Sequence, residues 1–190
     1  MIKDQIEILS FQQKVEGIEK EMLTEFNNVF QLLPHVDKLP HNVTVRIKLK
    51  NAEQTIKTCM YACLRKFHDA WQTLIQQHLD AGHIRPSSSP HMSPAFIIPK
   101  ADPSVLPRWV NDYRQLNKNT VADSHPLPCI DDILNDCTKG KIWGTIDMMN
   151  SFFQTPMEPL NIPLTSVSTP FGLFKWMVMP MGLKNVPAIR

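Results

Sequence analysis

Asp147 is the residue whose type and position most suggest chemistry. It ends a short apolar run that begins at Lys141, and a turn with two aromatic residues, Phe152 and Phe153, follows it. A carboxylate at the end of a strand is held rigidly at the edge of a sheet, and Mg²⁺ prefers such hard oxygen ligands. The alternative is an ordinary aspartate that caps the next turn. This stretch by itself favours the structural alternative.

Two cations flank a proline-bearing loop, residues 101–107, in the middle of the chain. Lys100 ends an apolar strand and Arg108 begins the next one, which indicates a β-hairpin with a positive charge on each side of its tip. Lysine and arginine are the residue types that bind phosphates. Pairing of Arg108 and Arg114 with Asp112 and other surface acids explains the same residues equally well.

Three segments have the spacing of apolar residues that predicts helices. Residues 1–33 form the first, and residues 61–81 form an amphipathic second helix that should stop at Gly82. Residues 115–134 read as a loop that leads into a short third helix over residues 130–137.

Other segments alternate with period two or are apolar and bounded by turns, which predicts strands. Residues 41–49 alternate, residues 95–100 are apolar, and residues 166–179 read as a second hairpin with its turn at Phe171-Gly172. The intervening residues 83–94 are too rich in proline for a helix.

The composition of the 190-residue chain is that of a globular protein, with 43% hydrophobic and 20% charged residues. A net charge of +2 is too small to predict a nucleic-acid partner. No signal peptide and no apolar run of membrane-spanning length is found, so we expect an intracellular protein, cytoplasmic or nuclear, with no membrane partner. The cysteines form no CxxC pair and are predicted to be buried free thiols; they are Cys59, Cys63, Cys129 and Cys137.

Four sequence blocks recur together in one known family. They are Gly82–Ser87 with Ser89-Pro90 and Ser93-Pro94, Asp112–Asn117 with Pro126–Pro128, Ile146-Asp147 with Ser151–Gln154, and Thr169–Gly172 with Met179–Ala188. In this order and spacing the chain resembles the reverse transcriptase of gypsy-type long-terminal-repeat retrotransposons, from about residue 20 onward. The resemblance implies an α+β fold: the fingers and an incomplete palm of a right-hand polymerase over residues 34–190, preceded by a helical segment, residues 1–33.

The resemblance also implies roles for individual residues. Asp147 matches the first palm carboxylate, which is catalytic and binds metal, and Phe152 matches the aromatic residue that screens against a 2′-hydroxyl. Lys100 and Arg108 match the residues that hold the triphosphate. The remaining matches are Met181 and Gly182 in the nucleotide and template pocket, and Asp112 with Arg114 as a structural acid–base pair.

The implied ligands are two Mg²⁺ ions, a deoxynucleoside triphosphate and an RNA/DNA primer–template. The family takes its other metal-binding carboxylates from a Tyr-x-Asp-Asp hairpin, and no such tetrad occurs in this sequence. Thumb and RNase H segments are also absent from it. We therefore expect at most a weak single metal site and no polymerisation by this chain alone. Two alternatives stay open: a non-catalytic module that binds nucleic acid, and a decayed remnant with an exposed edge strand near Trp176.

Overall fold

The computed structural model describes residues 2–26, 35–40, 42–102, 104–123, 129–140, 143–144 and 150–186. The chain divides into two compact units, Met1–Leu33 and Pro34–Arg190. Among the described residues, no helix is both long enough and apolar enough to cross a membrane.

The first unit contains one long helix, α1, over Ile2–Glu25. The predicted N-terminal helix is thereby confirmed over that range, and its continuation over residues 27–34 lies outside the described residues. Every residue from 12 to 26 is exposed.

The second helix, α2, spans His68–Asp80 and follows a 3-10 turn over Arg65–Phe67. It begins seven residues later than predicted, because the chain before it is extended and the hydroxyl of Tyr61 donates a hydrogen bond to Asp112 at 2.7 Å. The predicted stop at Gly82 is confirmed: this residue has φ 70°, in the left-handed region that glycine adopts most readily.

A five-stranded sheet organises the second unit. Its strands are β1 (Ile84–Pro86), β2 (Ser93–Ile98), β3 (Arg108–Asn111), β4 (Val167–Thr169) and β5 (Gly172–Trp176). They lie in the order β1-β5-β4-β2-β3, and every neighbouring pair is antiparallel except β2 and β4. Because β5 lies between β1 and β4 and Trp176 is buried, the expected exposed edge near Trp176 was wrong.

Both predicted hairpins are present. Ile98 pairs with Arg108 where β2 and β3 meet, and Thr169 pairs with Gly172 across the turn formed by Pro170 and Phe171.

The predicted strand over residues 41–49 was wrong. Over the described residues 42–49 only isolated bridges occur, from Val45 to Met157 and from Leu49 to Thr120. The backbone N–H of Ile47 instead donates to the side-chain oxygen of Asn161 at 2.9 Å, so successive residues bond to different partners and no continuous ladder forms.

Residues 114–119, which were expected to be loop after Arg114, form a short helix, α3 (Arg114–Asn119). Its buried side supplies the reason. Leu116 is fully buried, and the hydroxyl of the preceding Tyr113, also buried, donates to the backbone oxygen of Thr165 at 2.8 Å. The last described helix, α4 (Ile130–Cys137), is confirmed.

The prediction of buried cysteines was wrong. Cys59, Cys129 and Cys137 are exposed and Cys63 is half-buried. Cys59 and Cys63 lie in a segment, residues 58–64, that is neither helix nor strand.

The core of the second unit is rich in aromatic residues. The ring of His78, on α2, lies 5.0–5.5 Å from four other rings, those of His83, Trp109, Phe153 and Trp176. The ring of Phe153 is stacked between those of His83 and Trp176. This cluster anchors α2, β3, β5 and the turn at residues 151–154 to one another.

Candidate functional site

The two cations of the β2–β3 hairpin are exposed. Arg108 is the first residue of β3, and Lys100 lies two residues beyond the end of β2. Among the described residues no carboxylate lies within 4.0 Å of either cation. Pairing of Arg108 with Asp112 is therefore not what the structure shows.

Asp112 binds Arg114 instead, a contact that both the resemblance and the alternative of surface ion pairing predict. The carboxylate accepts two side-chain hydrogen bonds from Arg114, at 2.9 and 2.7 Å, and one from the backbone N–H of Arg114 at 3.1 Å. The hydroxyl of Tyr61 lies 3.0 Å from the same guanidinium. Tyr61 had no predicted role, and nothing in its sequence neighbourhood pointed to Asp112, fifty-one residues away.

The contact between Asp112 and Arg114 favours the charged form of both side chains. Hydrogen bonding to Arg114 holds the pKa of the Asp112 carboxyl well below its usual range, and the same contact raises the pKa of Arg114. The side chain of Asp112 is 9% exposed, whereas that of Arg114 is 78% exposed. Arg114 is thus held in position at one end while most of its surface faces solvent.

An open groove of about 640 Å³ lies beside this pair. Its lining combines the rings of Tyr61 and Phe96, which meet edge to face at 5.4 Å, with Val110 and the polar side chains of Asn111, Asp112 and Arg114. A groove with aromatic walls and a fixed cation at its rim suits a ligand with flat rings and negative charge.

The turn that carries Met181 and Gly182 is held by an asparagine of α3. The side-chain amide of Asn117 donates to the backbone oxygen of Gly182 at 2.8 Å, and its side-chain oxygen accepts from the backbone N–H of Lys184 at 2.9 Å. One side chain therefore satisfies both a carbonyl and an amide of the turn. Asn117 belongs to the quoted block Asp112–Asn117, but no role had been assigned to it.

A second asparagine connects the same turn to β3. The oxygen of the Asn111 side chain accepts from the indole N–H of Trp109 at 2.6 Å, and its amide lies 3.5 Å from the backbone oxygen of Met181. A Cβ atom on Gly182, which has φ 99°, would lie 3.1 Å from the backbone oxygen of Asn111. Gly182 thus permits a close approach of two backbones, which a side chain would hinder.

Phe152 lies in a 3-10 turn, Ser151–Gln154, and is partly buried against the core. Its position relative to the Met181 turn follows from the backbone, since Met179 donates to the oxygen of Thr155 at 2.9 Å. Backbone and side-chain bonds thus connect the Met181-Gly182 turn to the Asn111 end of β3, and connect Met179 to Thr155, the residue that follows the turn at Phe152.

Asp147 lies outside the described residues. Within the described part of the chain, no three His, Cys, Asp or Glu side chains are grouped so that they could hold a metal ion.

Comparison with known proteins assigns the second unit. A family model for reverse transcriptase (RNA-dependent DNA polymerase) matches residues 98–190. The Retrovirus-related Pol polyprotein from transposon 297 of Drosophila melanogaster is 32% identical over 173 residues. Residues 98–190 are homologous to the reverse transcriptase domain of retrotransposon Pol polyproteins.

The reverse transcriptase likeness extends beyond the matched domain to most of the chain. The transposon 297 alignment covers 89% of this chain, and the Enzymatic polyprotein of Cauliflower mosaic virus (strain Strasbourg) is 30% identical over 180 residues, or 94% of it. The chain spans 16% and 26% of the lengths of these two relatives.

Solved reverse transcriptases share the fold. The native prototype foamy virus protease-reverse transcriptase superposes with a TM-score of 0.70 at 23% identity, over 93% of this chain and 24% of that one. A foamy viral protease-reverse transcriptase in complex with an RNA/DNA hybrid gives 0.68 at 20% identity, over 89% and 22% of the two chains. The predicted α+β reverse transcriptase fold is confirmed.

Proposed function

We propose that this reverse-transcriptase-like chain supplies the nucleotide- and template-contacting part of an RNA-directed DNA polymerase, of the gypsy type. Residues 34–190 would be the fingers and an incomplete palm, and residues 1–33 a separate helical segment. The observation that carries the proposal is the attachment of the Met181-Gly182 turn to β3 and α3 through Asn111 and Asn117. It sets a glycine turn beside the strand that bears Arg108, as a pocket for a nucleotide requires.

In this proposal the exposed cations receive phosphate. Lys100 and Arg108 would contact the triphosphate of a deoxynucleotide, because neither charge is neutralised by a described carboxylate. Phe152 would screen the sugar, and Met181 and Gly182 would line the pocket.

The groove beside Tyr61 and Phe96 would receive the nucleic acid strand. Bases stack on aromatic side chains with little sequence preference, and Arg114 would add a fixed positive charge for a phosphate. The hydrogen bonds from Arg114 to Asp112 reduce the conformational freedom that the guanidinium would otherwise lose on binding.

Asp147 would be one ligand of the two Mg²⁺ ions that polymerases use, which stabilise negative charge on the reacting phosphate. Because the described residues hold no cluster of metal-ligating side chains, further carboxylates must come from elsewhere. The chain alone should therefore not polymerise DNA. Incorporation of deoxynucleotides by the purified 190-residue protein on a primed RNA template, abolished by Asp147→Ala, would overturn this expectation.

Binding of nucleic acid can be tested without catalysis. We expect Arg114→Ala to weaken the binding of a fluorescently labelled RNA/DNA hybrid with a single-stranded overhang by about fivefold, and to lower the salt dependence by roughly one phosphate contact. The measurement is fluorescence anisotropy between low and physiological salt.

Arg85→Ala is the matched control. Arg85 is an exposed arginine on β1, the strand at the opposite edge of the sheet from β3. Its replacement removes the same charge and should leave binding almost unchanged. Equal losses of affinity in the two variants would show that binding depends only on overall charge, and would refute the assigned site. Absence of salt-dependent binding by the unmodified chain would refute the nucleic-acid contact altogether.

A further inference from the structure

Helix α1 presents a stripe of apolar side chains to solvent. Its large exposed apolar residues, between 43% and 57% accessible, are Val15, Ile18, Met22, Leu23 and Phe26. Every residue from 12 to 26 is exposed, so no described part of the first unit covers these side chains. A stripe of this kind on a helix of 24 residues indicates a missing partner.

The spacing of the stripe is that of a coiled coil. Val15, Ile18 and Met22 are separated by three and four residues, and the sequence extends the same alternation backwards to Phe11 and Ile8. These five residues occupy successive a and d positions of a heptad repeat, with Ile8, Val15 and Met22 at a. Gly17, which has no neighbour within 4 Å of a Cβ position, falls outside this seam.

One of the three g–e′ pairs beside the seam joins opposite charges across a pair of copies. In a parallel pair of α1 helices, a residue at position g faces the residue five places later, at position e, on the other helix. Lys14 at g therefore faces Glu19 at e of the second copy, twice by symmetry. A parallel pair also sets apolar residues against each other in the five layers from Ile8 to Met22, and it leaves the like-charged d positions, Asp4 and Glu25, at the two ends of the helix. An antiparallel pair would instead set Glu25 against Ile8.

We propose that α1 pairs with α1 of a second copy of this chain as a parallel, two-stranded coiled coil. The occupant of the apolar stripe is the same stripe of another molecule, and the pairing is independent of nucleic acid. The repeat is short, so the dimer should dissociate in the micromolar range rather than the nanomolar range.

Sedimentation equilibrium of the full chain over a range of concentrations tests the proposal. We expect a reversible shift from the 21.8 kDa chain to twice that mass. Ile18→Asp should raise the dissociation constant at least about tenfold, because a carboxylate enters an apolar layer.

Ile133→Asp is the matched control. Ile133 is an isoleucine on α4 with a similar exposure, 49% against 57% for Ile18. This change should leave the dissociation constant within about twofold of that of the unmodified chain. A monomer at every concentration, a trimer, or a dimer broken by Ile133→Asp but not by Ile18→Asp would each overturn the proposal.

Charge reversals test the parallel orientation without introducing a charge into the seam. Lys14→Glu should weaken the dimer, and the double change Lys14→Glu with Glu19→Lys should restore it. An antiparallel pair would face Lys14 with Glu21, so rescue by Glu21→Lys instead of Glu19→Lys would refute the parallel arrangement.

Discussion

Helices α1 and α2 both carry apolar residues at three- and four-residue steps but differ in how far those residues are buried. The shorter helix, α2, buries Trp71, Leu74 and Ile75 and places His78 among four aromatic rings. The longer helix, α1, leaves every residue from 12 to 26 exposed. Periodicity thus shows that a helix has an apolar face, whereas burial shows whether its own unit covers that face. Substitutions on the two helices should therefore change the stability of the protein by different amounts, and in one case with the opposite sign.

The largest contrast is expected from truncating the apolar faces. Trp71→Ala should lower the free energy of unfolding by about 4 kcal/mol, because a fully buried indole is replaced by a cavity. Ile18→Ala, on the exposed face of α1, should change the stability of the second unit by less than about 0.5 kcal/mol. Urea denaturation followed by tryptophan fluorescence measures both, and similar losses would contradict the contrast.

The second contrast concerns pH. Burial, followed by the neighbouring His83, lowers the pKa of His78 from its usual 6.5 to about 4. In the unfolded chain the imidazole of His78 takes up a proton near pH 6.5. Above that pH, neutral His78 therefore makes its full contribution to the free energy of unfolding. This contribution is lost as the pH falls towards 4, by about 3 kcal/mol in total.

Urea denaturation between pH 7.5 and 4.5 measures this loss. His78→Phe keeps an aromatic ring and should flatten the profile, although His83, whose pKa is also lowered by burial, leaves some pH dependence. An unchanged profile in His78→Phe would exclude His78 as the source.

The third contrast comes from the glycine that ends α2. Gly82→Ala should destabilise the second unit by about 2 kcal/mol, because φ is 70° and the added Cβ would lie 2.6 Å from atoms of His35 and Val36. Thermal unfolding would show this as a lowered midpoint. A neutral result would mean that the loop containing His35 moves aside without cost.

The smallest effect has the opposite sign and lies on α1. Gly17→Ala should stabilise the helix by at most about 1 kcal/mol, because a Cβ there meets nothing within 4 Å and alanine has the higher helix propensity. Helical circular dichroism should rise and self-association should tighten, with no change in unfolding of the second unit. A loss of helicity would indicate that Gly17 faces a partner.

The sequence by itself determined the local elements and the residue types of the site. The helices over Ile2–Glu25 and Ile130–Cys137, and both hairpins, follow from periodicity and turn residues, which act between near neighbours in the chain. The ordered blocks also indicated the reverse transcriptase fold, since their spacing is set by that fold.

Only the tertiary structure decided which distant residues meet. The contacts of Tyr61 with Asp112, of Asn117 with the Gly182 turn, and of Asn161 with Ile47 join residues fifty-one to one hundred and fourteen positions apart. Local spacing predicted that α2 would begin at residue 61 and that residues 41–49 would form a strand. Because of these contacts, α2 begins at residue 68 and no strand forms over residues 41–49. The physical reason is that a backbone or side-chain group bonds to whichever partner the packed chain places within reach, and a linear pattern contains no record of that distance.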